Sequence, residues 1–390
     1  MSTLTLPAPA QRARPSARAS IARALHPLLS PLRPLVRRGW LAESAVDACS
    51  TLLHPTWRLT RVMARVVGRQ WVAPDMLALR LQPNANWRGA RPGQHVMLTV
   101  DIAGVRHSRS YSLTGADNGR GQVLELAVRR VPGGLVSNHL IDALRPGDVV
   151  ELGAPFGELQ GAAPAEPGLL LLAAGSGITP LLGLARAALA AGETRPIVLL
   201  QYVRDAALQP YADALRELAA LHPNLRSAVI ATGDTLQQMQ AHAPSAAQLS
   251  AWLSDADAHA VRACGPALFI EAVQSWWDGC ARRGSLQVEA FTPPAPDAAA
   301  SALDAARSVS VRLASGRTLQ LSTAQALLPQ LEAAGERPAH GCRMGICNTC
   351  ACRKRSGSVR DLRNGHLQAE PDETIRLCVN APATDLELDL

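Results

Sequence analysis

Aromatic residues and lysine are scarce in this chain of 390 residues. Aromatic side chains make up 3% of it, and Lys354 is the single lysine among 39 basic residues. A nucleic-acid-binding protein needs a basic body with aromatic or groove-reading elements, which we do not find, so we expect no nucleic acid partner. Charged residues amount to only 18%, which excludes a largely disordered chain. The preference for arginine is attributed to codon usage.

Long apolar segments are also missing. The N-terminus lacks an apolar run of about 7 to 15 residues behind its charges, so we expect no secretory signal. An uncharged stretch of 19 residues runs from Pro167 to Ala185. Its glycines and proline predict a strand, a turn and a helix rather than a membrane span.

The net positive charge is concentrated near the N-terminus. Of the formal charge of +7, residues 1–60 carry +6. Such a segment favours an acidic partner, and anionic lipid headgroups are the simplest. A solvated, poorly ordered tail explains the same composition. The arginines are Arg12, Arg14, Arg18, Arg23, Arg33, Arg37, Arg38 and Arg58, opposed by Glu43 and Asp47.

Four of the eight cysteines have an informative spacing, Cys342-x4-Cys347-x2-Cys350 with Cys378 further on. This spacing is typical of a plant-type [2Fe-2S] cluster, whose two irons need four converging thiolates. Zinc or disulfides are the alternatives, but zinc knuckles usually have two Cys-x2-Cys pairs and this region has one. We therefore predict these four cysteines as the iron ligands, with Cys352 not needed and no second metal.

The pattern of apolar, glycine and proline residues changes along the chain and predicts a multidomain protein. Short strands separated by Gly/Pro turns indicate an antiparallel β-barrel, and alternating buried strands and helices then indicate a parallel α/β sheet. After a Pro- and Ala-rich linker, a hairpin and the cysteine loop predict a small α+β domain. The expected divisions are a basic extension (1–55), the barrel (56–160), the α/β domain (161–295), the linker (296–307) and the last domain (308–390).

Two polar segments of the barrel region predict a flavin nucleotide site. Arginine grips a diphosphate, tyrosine stacks on a flat ring and serine supplies a hydrogen bond. Gly134 lets backbone N–H groups approach an anion, and we expect Ser137 to cap the helix that begins there. Alone, the first segment is more often an ordinary polar strand. It reads Arg109-Ser110-Tyr111-Ser112.

The α/β region carries two candidate nicotinamide segments. Gly175-Ser176-Gly177-Ile178-Thr179-Pro180 follows an apolar strand and opens a helix, although it lacks the third glycine of the usual fingerprint. An ordinary strand–helix turn is the alternative. Cys264, before Gly265-Pro266, is either a thiol beside the nicotinamide or a buried cysteine in a tight turn. Arg204 is suited to a 2′-phosphate and Asp205 to a 2′-hydroxyl, with NADPH slightly favoured.

These motifs, together with Glu289-Ala290-Phe291, resemble the ferredoxin-NADP reductase superfamily. From about residue 56 the chain resembles its single-chain members, which join a flavin barrel, a nicotinamide domain and a β-grasp-like plant-type ferredoxin. Phthalate dioxygenase reductase has this order, as do the electron-transfer partners of bacterial stearoyl-CoA desaturases. The basic extension and His54-Pro55-Thr56-Trp57 are more similar to the desaturase partners.

The resemblance implies a role for each matched residue. In the barrel, Arg109 and Ser110 would bind the flavin, Tyr111 would stack on its ring and Ser112 would approach its N5 edge. Gly134 and Ser137 would hold phosphate. The nicotinamide dinucleotide would bind Gly175, Gly177 and Thr179, with Cys264 near the nicotinamide and Glu289 near the flavin edge. The expected catalytic residues are Ser112, Cys264 and Glu289.

The implied activity is an NAD(P)H-dependent oxidoreductase. FAD is expected with FMN the alternative, and NADPH with NADH the alternative. Hydride carries two electrons and the cluster accepts one, so the flavin must divide the pair. Backbone N–H groups of residues 343–346 are candidates to hydrogen-bond the cluster sulfurs. We expect a cytoplasmic location, because thiolate ligands must stay reduced, with peripheral attachment to the inner face of the membrane as a variant.

The electron acceptor is the open part of this prediction. A membrane di-iron desaturase or hydroxylase is our first choice, and a soluble aromatic-ring dioxygenase is the alternative. Residues 308–390 carry ten basic and nine acidic side chains, a balance suited to receiving electrons within the same chain. A redox-sensing module without turnover is the remaining class.

Overall fold

The computed structural model describes residues 25–116, 123–291, 307–363 and 365–390. Arg12, Arg14, Arg18 and Arg23 and linker residues 296–306 lie outside the described residues. The chain forms two compact units. The first contains the described residues up to Pro155 with Thr179–Thr194 and Asp205–Leu225, and the second contains the rest. In the described part of the chain, no helix has the length and apolar character needed to cross a membrane.

The first unit is built on a closed six-stranded barrel, as predicted. Neighbouring strands follow the order β1-β2-β5-β4-β3-β6, and their pairing is antiparallel. Alternate apolar side chains such as Leu79, Leu98 and Leu126 fill the interior. The strands are β1 (Val62–Ala73), β2 (Met76–Pro83), β3 (His95–Ile102), β4 (Val105–Ala116), β5 (Leu124–Arg129) and β6 (Val149–Leu152).

The described part of the N-terminal extension is ordered against this barrel. It comprises a 3₁₀ helix (His26–Leu32), α1 (Arg33–Arg37) and α2 (Glu43–Leu53). The buried carboxylate of Asp47 accepts hydrogen bonds from the Leu59 N–H at 2.7 Å and from the Arg61 guanidinium at 3.0 Å. These bonds join α2 to the residues that directly precede β1, and Arg33 donates to Asn86 between β2 and β3 at 2.7 Å, so residues 25–60 are not a solvated tail.

Three helices complete the first unit. They are α3 (Leu135–Asp142), α4 (Ile178–Ala190) and α5 (Ala212–Leu221). A Cβ on Gly183 of α4 would lie 2.4 Å from the carbonyl oxygen of Leu113, so only glycine permits this approach. Arg186, one turn on, pairs with Glu125 at 2.8 Å. Burial alone would raise the pKa of Glu125, but this ion pair outweighs burial and holds the pKa below its ordinary value.

The second unit contains the predicted parallel sheet, in the order β11-β10-β7-β8-β9. β7 pairs in parallel with β8 and β10, and β10 pairs in parallel with β11. Every residue of β7 is buried, as expected for a strand covered on both faces. The elements are β7 (Leu169–Ala174), β8 (Ile197–Val203), β9 (Leu225–Ala231), α6 (Leu236–Ala241), α7 (Ala246–Ser250), β10 (Ala260–Gly265), α8 (Ala267–Asp278) and β11 (Ser285–Ala290).

The last part of the second unit is a mixed sheet with one helix. Its order is β13-β12-β19-β14-β17, in which β12 and β19 are parallel and the other pairs antiparallel. This confirms the predicted β-grasp-like α+β domain. The elements are β12 (Ser308–Leu313), β13 (Thr318–Ser322), α9 (Leu327–Ala333), β14 (Ala351–Ser356), β15 (Val359–Asp361), β16 (Leu367–Gln368), β17 (Glu373–Arg376), β18 (Asn380–Pro382) and β19 (Leu386–Leu388).

The single lysine has a specific structural role that codon usage does not explain. Lys354 lies on β14 and is 0% exposed. Its ammonium donates to the carbonyl oxygens of Gly357 at 2.7 Å, Gln368 at 3.2 Å and Glu370 at 2.6 Å. Three donors on one compact charge match three converging carbonyls, a geometry that a planar guanidinium does not reproduce.

We therefore expect Lys354→Met to lower the free energy of unfolding of the ferredoxin domain by about 3 kcal/mol, because buried carbonyls would lose their donor. Urea unfolding followed by the visible absorbance of the cluster measures this. Arg353→Met is the matched control, since Arg353 is exposed and pairs with the exposed Asp372. Equal stability of both variants would show that the ammonium contributes nothing, and Lys354→Arg should not restore stability.

Candidate cofactor sites

The four predicted iron ligands lie together in the second unit and form two pairs. The sulfurs of Cys350 and Cys378 are 3.1 Å apart. Cys342 and Cys347 form the other pair, joined by a thiol–thiol hydrogen bond. Two thiol pairs are the donor set that a cluster of two irons requires.

Backbone N–H groups of the cysteine loop point at these sulfurs. Met344 N–H donates to Cys342 Sγ at 3.3 Å, and Cys347 N–H donates to the same sulfur at 3.4 Å. Gly345 donates to the sulfur of Cys378. Gly345 has φ of +73°, and an added Cβ would lie 2.8 Å from a Val379 methyl carbon, so the loop requires glycine here.

The predicted N–H donors are partly reproduced. Met344, Gly345 and Ile346 donate to cysteine sulfurs. The side chain of Arg343 forms an ion pair with Glu332 at 2.6 Å. Thr349 also donates to Cys347 Sγ, a role that sequence reasoning missed although a hydroxyl two residues after a ligand was the available signal.

The thiols within each pair differ in acidity. Hydrogen bonding with Cys342 lowers the pKa of Cys347 to about 5, and hydrogen bonding with Cys378 lowers the pKa of Cys350 to about 7. The same bonds raise the pKa of Cys342 and of Cys378. One thiolate in each pair is therefore stabilised at neutral pH, which suits the binding of a cation.

The predicted flavin residues lie on β4 and at the start of α3. Arg109 is exposed, Ser110 and Tyr111 are half-buried, and Ser112 is buried. Tyr111 packs against the barrel core, and burial raises the pKa of its phenol, so the ring stays uncharged. Because side chains alternate along a strand, Arg109 and Tyr111 share one face and the two serines the other.

The start of α3 provides a cradle for an anion. The first helical residue is Leu135 and the N-cap is Gly134, so the prediction that Ser137 caps this helix is wrong. The helix begins three residues earlier than the cap role needs. Instead, the buried Ser137 Oγ lacks a hydrogen-bond partner among the described residues, and a Cβ on Gly134 would lie 2.6 Å from it. A phosphate oxygen fits both features, with the N–H groups of the first turn as further donors.

Of the predicted nicotinamide residues, Gly175, Gly177 and Cys264 lie at the carboxyl ends of parallel strands in the second unit. Gly175 and Gly177 form a 3₁₀ turn after β7. A Cβ on Gly177 would lie 1.9 Å from the carbonyl oxygen of Cys264, which explains this glycine. Cys264 is fully buried. Burial raises the pKa of its thiol, and the negative charge of Glu289 raises it further. Thr179 is a buried residue of α4 in the first unit.

A cleft of 270 Å³ in the second unit brings two predicted regions together. Glu289 and Ala290 of β11 form part of its wall, and Met344 and Ile346 of the cysteine loop form another part. Arg363 also lines it, donates to Asp361 at 2.6 Å and approaches the carbonyl oxygen of Gly345 at 3.4 Å. No local motif distinguished Arg363 in the sequence, because its contacts come from a separate loop.

The chain matches three family models in order along its length. They are an oxidoreductase FAD-binding domain (residues 64–160), an oxidoreductase NAD-binding domain (171–275) and a 2Fe-2S iron-sulfur cluster binding domain (311–382). An NADPH oxidoreductase of Mycobacterium tuberculosis is 30% identical over 348 residues, covering 87% of each chain. The chain belongs to the ferredoxin-NADP reductase superfamily. Its cofactors are FAD, a nicotinamide dinucleotide and a [2Fe-2S] cluster.

Two further relatives of this reductase support the domain order. The ferredoxin reductase component of 3-ketosteroid-9-alpha-monooxygenase from Mycobacterium tuberculosis is 33% identical and covers 75% of this chain and 83% of that protein. The structure of phthalate dioxygenase reductase is 25% identical, with a TM-score of 0.54, covering 85% of this chain and 98% of that one. The predicted oxidoreductase class is confirmed, which leaves the sensing alternative without support.

The assignment of ligands predicts opposite results for two neighbouring cysteines. We expect Cys350→Ser to abolish the visible and paramagnetic signals of the reduced cluster, because iron would lose a thiolate. NADPH-dependent ferricyanide reduction, which the flavin supports alone, should remain. Cys352→Ser is the control, since Cys352 is also buried but lies on β14. Cluster loss in Cys352→Ser with retention in Cys350→Ser would overturn the assignment.

Proposed function

We propose that this reductase passes electrons from NADPH through FAD and the [2Fe-2S] cluster to a partner oxygenase or desaturase. When bound, the flavin accepts the electron pair of the nicotinamide and releases it singly. The observation that carries the proposal is the cleft in which Glu289 and the cysteine loop share a wall. Ligands of parallel sheets bind at the carboxyl ends of the strands, which is where this cleft opens. The cluster loop therefore lines a candidate electron-transfer route within the chain.

Each of the predicted site residues has a place in this proposal. Ser137, Gly134 and Arg109 would hold the flavin phosphates, with Ser110 beside them, and Tyr111 would cover the ring. Ser112 would approach the flavin N5 edge, Cys264 would lie near the nicotinamide and Glu289 near the flavin edge. Each of these side chains is buried, which limits the access of water to its own part of the chain. The sulfurs of the cysteine loop would ligate the irons.

The preferred acceptor is a membrane di-iron desaturase or hydroxylase. The net charge of +6 in residues 1–60 supports it, because a basic segment is attracted to anionic membranes that hold such enzymes. The alternative acceptor is a soluble aromatic-ring oxygenase, which the similarity to phthalate dioxygenase reductase favours. The location then follows the acceptor, at the inner face of the membrane or free in the cytoplasm.

Coupled turnover distinguishes the two acceptors. We expect NADPH oxidation to be coupled to product with a di-iron desaturase in anionic vesicles, and the rate to fall as salt rises because salt screens the basic segment. A soluble ring oxygenase is assayed in parallel. The Cys350→Ser variant should supply electrons to neither enzyme. Coupling to the ring oxygenase alone would select the alternative, and coupling to neither would overturn the proposed acceptors.

Coenzyme preference is proposed to depend on Arg204. Arg204 is exposed beyond β8 and lies 3.6 Å from Asp234, which is more exposed still. The side chain of Asp205 accepts from the Ala207 N–H at 2.9 Å, so this carboxylate caps a 3₁₀ turn. Arg204 is therefore the group available for a 2′-phosphate, which favours NADPH.

We expect Arg204→Ala to reduce kcat/KM for NADPH by about tenfold or more, since a charged hydrogen bond to phosphate would be lost, and to change that for NADH little. Cytochrome c reduction with each coenzyme measures the split. Arg216→Ala, which removes an exposed arginine of α5, should change neither value. An equal loss with both coenzymes would contradict a role in 2′-phosphate recognition.

A further inference from the structure

Helix α2 has its polar residues facing inward and apolar residues facing outward. Asp47 and Ser50 are buried, whereas Leu52 is 88% and Leu53 is 75% exposed. A surface helix of a globular protein normally shows the reverse arrangement. The outward residues, which we call the α2 face, are Ala45, Ala48, Cys49, Leu52 and Leu53.

The orientation of α2 is fixed by specific hydrogen bonds. Asp47 accepts from the Leu59 N–H at 2.7 Å and pairs with Arg61 at 3.0 Å. The Ser50 hydroxyl donates to the carbonyl oxygens of Asp47 and Trp57, each at 3.2 Å. Turning the leucines inward would bury them at the expense of these bonds and would leave a charged carboxylate without its partners. The exposure of the α2 face is therefore built into the fold.

The segment that joins α1 to α2 adds the other features of a membrane-surface site. Trp40 is 70% exposed, and the guanidinium of Arg38 lies 5.7 Å from its ring centroid. Arg37 and Leu41 are exposed as well. Exposed tryptophan, leucine and arginine together suit the boundary between acyl chains and anionic headgroups, where rings and arginine stems enter the apolar layer while charges stay at the phosphates.

Charge identifies the occupant of this surface. In residues 25–60 the acidic side chains are Glu43 and Asp47, and Asp47 is buried and paired with Arg61. Arg37 and Arg38 therefore meet little local neutralisation, and residues 1–60 as a whole are strongly basic. A second copy of this chain would bring the same positive charges together and be repelled, whereas an anionic bilayer attracts them.

We propose that the α2 face, with Trp40, Arg37 and Arg38, is a docking surface for an anionic lipid bilayer. The reductase would attach peripherally, with Leu52 and Leu53 inserted below the headgroups. The inference deepens the proposed membrane location but does not require the desaturase, because it concerns lipid alone. Empty vesicles therefore test it separately from any electron acceptor.

The test is co-sedimentation of the full holoprotein with vesicles of phosphatidylcholine, with and without phosphatidylglycerol. We expect binding to anionic vesicles, weakened at high salt, and at least tenfold weaker binding for Leu52→Glu/Leu53→Glu. Leu221→Glu changes a leucine that is likewise exposed, at the end of α5, and should bind as the parent does. Flavin content and the circular dichroism spectrum establish that each variant is folded.

Brominated lipids supply a second readout at the proposed surface. They should quench part of the tryptophan emission of the parent, and this part should be absent in Trp40→Phe. Unchanged sedimentation of the double variant, or no binding of the parent, would overturn the proposal. Association of the parent in solution that is lost in the double variant, without vesicle binding, would assign the α2 face to a second copy instead.

Discussion

The predicted cluster site of the ferredoxin domain depends on holding four cysteine sulfurs within one small volume. Thiolates repel one another, so the loop must supply compensating donors before iron does. Backbone N–H groups of Met344 and Cys347 reach Cys342, and that of Gly345 reaches Cys378. Within this loop Gly345 has positive φ, which glycine adopts without a steric cost. The loop thus forms a shell of donors around the sulfurs.

Lys354 anchors the segment that follows β14. β14 begins at Ala351, directly after the predicted ligand Cys350, and its lysine binds three carbonyls of the segment between β14 and β17. That segment also carries Arg363, which reaches back to the Gly345 carbonyl. Lys354 therefore holds the segment after β14 in place, and Arg363 connects that segment to the cysteine loop through a backbone oxygen.

The sequence predicted those features whose signals are local. The alternation of strands and turns predicted the barrel, and the apolar run of Leu169–Ala174 predicted a buried strand. The cysteine spacing predicted the 2Fe-2S domain. Each of these signals lies within a short stretch of sequence. Ser137 was misassigned because the glycines before it did not locate the helix start, which lies at Leu135, three residues before the start that a Ser137 cap requires. The roles of Lys354 and Asp47 could not be predicted, because their partners lie up to 16 and 14 residues away and follow no periodic pattern.

Net charge differs between the ferredoxin domain and the N-terminal segment. Residues 308–390 are nearly neutral, so the cluster domain does not depend on long-range attraction to receive electrons from its own flavin. The excess positive charge lies instead in residues 1–60, where Asp47 fixes α2 to the barrel. In the described residues 25–60, contacts hold this segment against the barrel region, since Arg33 donates to Asn86 of the β2–β3 loop at 2.7 Å. Under the proposed docking, Arg37 and Arg38 would therefore orient the barrel at an anionic surface as well as attract it to that surface.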